Sequence, residues 1–303
     1  MDLSFIFAAA VTDMATKMFS VPVESDGWRA DRFLLKYFPQ MHSSFLKEVF
    51  SRRDVKVNGI RVRPDFCVSA GDEVRIYYME TVVSDDLLSV VYEDKDILLV
   101  NKRSGISVEP DAGGGLSLTD LCLSHVRRED KDMPVPQPCH RIDNKTCGLV
   151  LFAKNELALS VLLDVFKKRS LEKYYVCLVK GFMKPPAATC TAWLTKDPDA
   201  GKVSVTDRPV EGSKEIVTAY ETLENGQISR LRVHLITGRT HQIRAHMSSL
   251  GHPLLGDDIY GDRTFNKVNK CRQLRLCATE LILDTGGRLP ELDGKHFSVS
   301  PPF

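Results

Sequence analysis

The 303-residue chain is short of the signatures that mark most enzyme classes. Its eight cysteines (67, 122, 139, 147, 177, 190, 271 and 277) include no CxxC spacing, which argues against a structural zinc site or a disulfide framework and for reduced thiols in a cytoplasmic chain. No apolar run approaches the roughly 18–20 residues that span a bilayer, so no membrane partner is expected. A G-x-S-x-G elbow is absent, and with it the commonest serine-hydrolase pattern. The glycine run 113–115 lacks a following Lys-Ser/Thr and opens no clear helix, which excludes a phosphate-binding P-loop. His241 and His246 stand five apart with no Glu between them, and His252 lies beyond the helix-ending Gly251, so a zinc hydrolase is not expected either. Neither a metal nor a cofactor is implied. Charge of one sign is lacking too: 41 Lys+Arg against 40 Asp+Glu leave +1, which excludes bulk electrostatic coating of nucleic acid but not a local basic groove.

What is present is an ordinary globular composition, 43% hydrophobic and 27% charged, long enough for one large or two modest domains. The apolar stretch at 5–11 is short and preceded by Asp2, with no basic residue before Lys17, so it does not read as an export signal. Residues 1–20 read instead as a disordered tail or an over-called start, with Met14 or Met18 as the true beginning. From Val21 to about residue 80 the pattern is self-contained. Apolar Phe33, Leu34, Tyr37 and Phe38 share a helical face, and Phe45, Leu46, Val49 and Phe50 share another over 43–53. Alternation around Asn58-Gly59 then predicts a hairpin, and 70–78 a closing strand. Residues 44–63 carry Lys47, Arg52, Arg53, Lys56, Arg61 and Arg63 against Glu48 and Asp54, so this corner is +4. Such a run is either a solvated face or a phosphate-tracking surface.

A polar linker at 81–87 leads into a second unit over 88–303. Strands are expected near 88–92, 97–100, 147–155, 173–181, 190–196 and 229–238, and helices at 156–169 and 240–251. They do not alternate as βαβ units, so the fold class is α+β with a mixed, largely antiparallel sheet. Two clusters carry chemistry. One is HRIDNKTCGLVLFAKN (140–155), with His140, Arg141 and Asp143 just ahead of an apolar strand; alone, it is equally a loop salt bridge between Arg141 and Asp143. The other crowds Arg239, Thr240, His241, Gln242, Arg244 and His246 at a helix start. One loop carboxylate, several arginines and the Tyr174–Tyr175 pair suit work on an anionic polymer: arginines grip phosphates, a ring stacks on a base, a carboxylate acts on the bond.

These motifs in this order resemble the pseudouridine synthases of the large-subunit ribosomal RNA type (the RluA family). NKRSGISVEP (101–110) is similar to the family's first motif, HRIDNKTCGLVLFAKN to its second, RSLEKYYVCLVKG (169–181) to its tyrosine motif and LITGRTHQIRAHMSSLGHPLLGDDIYG (235–261) to its third. The basic front unit resembles the small RNA-binding module of ribosomal protein S-four. The resemblance implies an RNA-modifying isomerase with a central RNA-binding cleft, in which Asp143 is the catalytic aspartate and Arg244 its partner. Tyr175 then lies beneath the uracil and could take the proton from carbon 5, and Arg141 fills the gap left by the flipped nucleotide. Arg239, Thr240, His241 and Gln242 would contact RNA, as would Lys47, Arg52, Arg53 and Lys56 of the front module. RNA is the expected partner, ribosomal rather than transfer RNA, and no obligate protein partner is evident. Cys147 stands where a Ser is usual, Arg103 where a Pro is, and Ile142 for Leu, which bears on the substrate rather than on activity. The rivals are an RNA-binding or ribosome-assembly factor that kept the cleft without the chemistry, and an acid–base hydrolase built on Asp143 and His241.

Overall fold

The computed structural model describes residues 12–37, 46, 49–81, 88–110, 117–128, 130, 132–197 and 201–303. They form two compact units, Met1–Leu87 with Glu109–His125, and Leu88–Val108 with Val126–Phe303.

The first unit is a four-stranded antiparallel sheet in the order β1 (Thr12–Ser20), β4 (Glu73–Thr81), β2 (Val55–Val57), β3 (Ile60–Arg61), with helix α1 (Ala30–Tyr37). The hairpin signal is realised: Asn58 and Gly59 both take positive φ (50° and 81°), the conformation that lets two residues connect β2 to β3. Phe33 and Leu34 of α1 share a core with Leu46, Val49, Phe50, Val55, Val57, Val74 and Ile76. Leu46, Val49 and Phe50 are helical, as the 43–53 pattern predicts, while Phe45 and Lys47 lie outside the described residues. The expectation of a tail over 1–20 needs correction at Thr12–Ser20, which pairs along its whole length with β4. Its solvent-exposed Thr16, Lys17 and Met18 give no strong alternation, so the strand is carried by backbone bonding to β4 rather than by an apolar stripe. The linker also begins later than expected, because β4 runs to Thr81.

Glu109–His125 departs from the expected boundary by grouping with the first unit. It contains most of α2 (Leu118–Val126), a helix the glycine run at 113–115 was not expected to lead into. A reciprocal cap starts it: Asp120 accepts the Ser117 amide (2.9 Å) while the Ser117 hydroxyl accepts the Asp120 amide (3.2 Å).

The second unit is built on an 11-stranded sheet with the main order β11-β10-β12-β13-β9-β14-β8-β6-β5. Its strands are β5 (Ser89–Glu93), β6 (Ile97–Lys102), β7 (Gln137–Pro138), β8 (Cys147–Ala153), β9 (Leu171–Lys180), β10 (Ala187–Asp197), β11 (Lys202–Thr206), β12 (Lys214–Glu224), β13 (Ile228–Leu235), β14 (Leu276–Leu283) and β15 (His296–Ser298). Among the pairings of described strands, β8 with β14 is parallel and the rest are antiparallel, so the α+β, largely antiparallel fold class holds. Every residue of β8 is buried, the continuous apolar run of a strand covered on both faces. Against one face packs α3 (Glu156–Lys168), whose Ala158, Val161, Leu162 and Val165 recur at helical spacing and meet Ile97, Leu99, Leu149 and Leu151. Asn155 caps its start by accepting the Ala158 amide, and Lys167 and Lys168 suit the negative end of its dipole. Tyr175, Val233, Leu276 and Ala278 build a second cluster with α4 (Gln242–Ser249) through Ile243 and Met247. A short helix α5 (Arg263–Val268) follows.

The junction of β8 and β14 is tight enough to test. Gly148 sits at φ 110°, and a Cβ there would lie 2.1 Å from the Ala278 carbonyl oxygen. The obstacle is backbone, which cannot swing aside. Gly148→Ala is therefore expected to destabilise the protein by more than about 3 kcal/mol in urea unfolding, well above the ordinary effect of a methyl group. A loss below about 1 kcal/mol would show that the strands do not approach so closely.

Candidate active site

The loop before β8 and the segment from α4 to Gly261 bring the two chemical clusters together. Arg244, on α4, has a side chain only 3% exposed and carries the site. Its Nε and Nη2 donate to the two oxygens of Asp257 at 2.7 and 2.9 Å, and its Nη1 donates to Asp143 Oδ2 at 3.0 Å. Burial alone would lower the Arg244 pKa, but Asp257 and Asp143 outweigh it and raise it, so the guanidinium is a permanent cation.

The two carboxylates on this cation differ in kind. Asp257 is wholly buried and also accepts the amides of Ile259 and Tyr260 at 2.8 and 3.1 Å. Burial opposes its charge, yet Arg244 and those amides hold it below the usual carboxylate range. Asp143 keeps a side chain 24% exposed, so it remains in reach of solvent. The loop around Asp257 is drawn tight by glycine: a Cβ on Gly256 would strike the Gln273 carbonyl, and one on Gly261 would lie 2.0 Å from the Asp257 carbonyl.

His241 precedes α4 in a left-handed conformation (φ 54°), with Nε2 3.8 Å from Asp143 Oδ2. Its Nδ1 meets the Tyr260 hydroxyl at 3.0 Å, and that hydroxyl accepts the Val203 amide at 2.9 Å. Tyr260 thus ties the His241 ring to β11 while Nε2 faces Asp143. Burial lowers the His241 pKa against the pull of Asp143, favouring the neutral ring. His246 turns elsewhere, its Nδ1 3.0 Å from the Thr218 hydroxyl.

Tyr175 is buried on β9, clustered with Ile142 of the Asp143 loop, and its pKa is raised by burial, by Asp143 and by Cys277. Tyr174 points to the other face, stacked on His234 at 4.7 Å under Arg232. Arg141, Arg239 and Thr240 are exposed beside these elements. Gln242 needs correction as an RNA contact. Its Oε1 accepts from Thr237 Oγ1 and the Arg239 amide, and its Nε2 donates to the Val217 carbonyl and Thr218 Oγ1. With both ends of the amide engaged inside, Gln242 positions the turn that presents Arg239. In the first unit Arg52 and Arg53 are exposed, and Lys56 lies 5.0 Å over the Tyr77 ring.

Sequence reasoning missed the supports. Lys102, at the end of β6, is 1% exposed and donates to the carbonyls of Arg103, Ile106 and Asn144 at 3.1, 2.7 and 2.9 Å. Burial lowers its pKa to about 8, while three carbonyl acceptors call for all three ammonium protons. It ties the 103–106 segment to the residue after Asp143. His140 does the same on the other side: it stacks on Phe166 at 4.8 Å and its Nε2 accepts the Leu151 amide at 3.1 Å. The signal for Lys102 was a lysine ending an apolar strand; for Asp257 it was the glycine-flanked GDDIYG.

Comparison with known proteins gives the family. A family pattern described as RNA pseudouridylate synthase matches residues 96–249. The chain belongs to that family. It is 35% identical over 251 residues to a protein of Aquifex aeolicus described as an uncharacterized RNA pseudouridine synthase, covering 79% of this chain and 78% of that one. It is 33% identical over 274 residues to ribosomal large subunit pseudouridine synthase C of Vibrio vulnificus, covering 84% of each. Among solved structures, human RNA pseudouridylate synthase domain containing 1 superposes with a TM-score of 0.56 at 26% identity, over 73% of this chain and 92% of that one. The chain is thus an RNA pseudouridine synthase, an isomerase that acts on uridine in RNA. Among the described residues no helix is long and apolar enough to cross a membrane.

His140 makes the Asp143 loop acid-sensitive. Burial, with Lys173 nearby, lowers its pKa from 6.5 to about 3. Between those values the unfolded chain binds a proton that the folded chain refuses, so this contribution is full above pH 6.5 and is lost as pH falls toward 3. His140→Gln keeps an acceptor for the Leu151 amide without titrating. Its unfolding free energy should fall by about 2 kcal/mol less than the wild type's between pH 6.5 and 4, after discount for the part of the ring that meets water. Parallel curves would remove His140 from the account.

Proposed function

We propose that the chain converts uridines in structured RNA, ribosomal RNA above all, into pseudouridine at Asp143, after extruding the target nucleotide from its stack. The observation that carries this is the contrast on Arg244: a saturated, buried Asp257 and a part-exposed Asp143 share one guanidinium. Such a pair keeps one carboxylate fixed and leaves the other with lone pairs for a substrate. In the reaction the bond from N1 to ribose C1′ breaks, the uracil turns, C5 bonds to C1′, and the C5 proton is lost while N1 gains one. Composition is unchanged. Asp143 either adds to the sugar or base or removes a sugar proton; each course needs it ionised and held in place. Arg141, exposed two residues earlier, is long, planar and cationic enough to fill the vacated stack and meet phosphates.

Tyr175 is assigned to the floor under the uracil. Its raised pKa keeps the phenol protonated near neutral pH, which makes it a poor base for the C5 proton and a good neutral surface. Large-subunit ribosomal RNA is favoured because relatives at 33% and 31% identity, from Vibrio vulnificus and Escherichia coli, carry it in their names. The basic first unit would add a grip on large structured RNA. None of the eight cysteines is in a disulfide, which fits the reducing cytoplasm.

Two expected outcomes test this reading. Asp143→Asn is nearly isosteric, so it should bind RNA within several-fold of wild type yet show at least a thousandfold slower single-turnover tritium release from a C5-labelled uridine. A folded, RNA-saturated variant that turns over at the wild-type rate would take Asp143 out of the chemistry. Replacing Arg52, Arg53 and Lys56 together by Ala should weaken RNA affinity and reduce the log–log salt slope by up to about 2, since each lost phosphate contact removes about 0.7 for a single strand. An unchanged slope in an anisotropy titration would free this surface from any role in binding.

A further inference from the structure

An ion pair at the rim of the site has a geometry unlike the buried contacts beneath it. Lys145 Nζ meets Asp258 Oδ2 at 2.5 Å, bridging the loop that carries Asp143 and the loop that carries Asp257. Both side chains are half exposed, 51% and 52%, against 3% for Arg244 and 0% for Asp257. We propose that this pair is a phosphate-exchange latch: Lys145 releases Asp258 to bind a backbone phosphate flanking the target nucleotide, and Asp258 is the anion that the phosphate displaces.

Position makes the exchange possible. Lys145 follows Asp143 by two residues, a backbone reach of at most about 7 Å, and its partner Asp258 comes within 3.8 Å of the guanidinium that holds Asp143, which sets the ammonium within reach of the phosphates flanking a nucleotide docked at Asp143. The ground on both sides is fixed. The Lys145 carbonyl accepts the Ser104 hydroxyl at 2.7 Å, the Asn144 carbonyl accepts Lys102 at 2.9 Å, and the Thr146 amide donates to the Asp143 carbonyl at 3.0 Å. Across the gap, Asp257 holds the amides of Ile259 and Tyr260. Only the side chains are left to move, and lysine has a flexible four-carbon stem and three rotatable donors.

Charge makes the exchange specific. A half-exposed pair of this kind is weak, so breaking it asks little, whereas the Arg244–Asp257 pair beneath it has nowhere else to go. Lys145 lowers the Asp258 pKa, so Asp258 stays anionic, and its Oδ1 is also 3.8 Å from Arg244 Nη2. Without RNA, Asp258 occupies the ammonium as a phosphate would. On approach of the strand, two anions compete for one cation, and the phosphate wins only if its strand is otherwise held. A bare phosphate or a mismatched strand would leave the latch shut.

The alternative is a static clip that only ties two loops together, and the two readings differ in sign. The proposal rests on RNA entering at Asp143; persistent turnover by Asp143→Asn would defeat that reading on activity, while the latch stands or falls on binding. Affinity for a uridine-containing stem-loop is measured by anisotropy, with Asp143→Asn as the common background so that no RNA is converted. Lys145→Ala should weaken binding three- to tenfold and reduce the salt slope by about 0.7, and Lys145→Arg should restore both. Asp258→Asn should tighten binding about threefold, and that gain should vanish when Lys145 is also Ala. A clip predicts the opposite: Asp258→Asn and Lys145→Ala both lower the melting temperature and weaken binding alike. That result, or an Asp258→Asn variant that binds no tighter, overturns the latch.

Discussion

The site depends on one buried guanidinium. Arg244 cannot be left unpaired at 3% exposure, and the fold answers with two carboxylates that come from opposite directions in sequence. Asp257 meets it from a loop that only glycines at 256 and 261 allow to close, and Asp143 meets it from the segment ahead of β8. Each of these placements needs the others. Helix α4 supplies the cation, the glycine loop fixes its plane through two parallel hydrogen bonds, and the plane decides where Nη1 points and hence where Asp143 rests. Lys102 and His140 then hold the Asp143 loop from both ends by hydrogen bonds to backbone groups. A misplacement of any one would be felt at the carboxylate proposed to react, because positioning of a reacting group by an ångström is worth orders of magnitude in rate.

Much of this was legible in the sequence, and the parts that were not share a cause. Local signals survived intact: the Asn58-Gly59 turn, the Asn155 cap and 3.6-residue stripe of α3, the ionisable loop ahead of an all-buried strand. These are settled within a dozen residues of chain. Asp257 was not legible because two adjacent aspartates at 257 and 258 look alike until the fold buries one and exposes the other. Lys102 looked like any lysine ending a strand, although its ammonium is buried against three carbonyls. Gln242 misled in the opposite direction. Between an exposed Thr240 and a buried Arg244, its amide turns inward to Thr218 and Thr237, a choice set by β12 and the end of β13 rather than by its neighbours. β1 escaped notice because its exposed residues show no stripe, and its reason for being a strand lies in its partner β4.

The electrostatics of the cluster extend to Tyr175. Tyr175 lies on β9 opposite Ala278 of β14 and Val233 of β13, and all three are buried. Burial there disfavours a phenolate, and the Asp143 charge disfavours it again. The same coupling runs in reverse: a phenolate would set a further negative charge beside Asp143, so a protonated Tyr175 leaves the balance of two carboxylates on one guanidinium undisturbed. On the function proposed above, a neutral ring also offers a low-polarity surface for a uracil face, and a base resting there would exclude water from the carboxylate. Exclusion of water strengthens the Asp143–Arg244 attraction, because the effective dielectric between them falls. On that reading the arrangement would tighten as it is filled: the charges are placed in advance by buried contacts, and an arriving base would supply the dry surroundings in which those charges act at full strength.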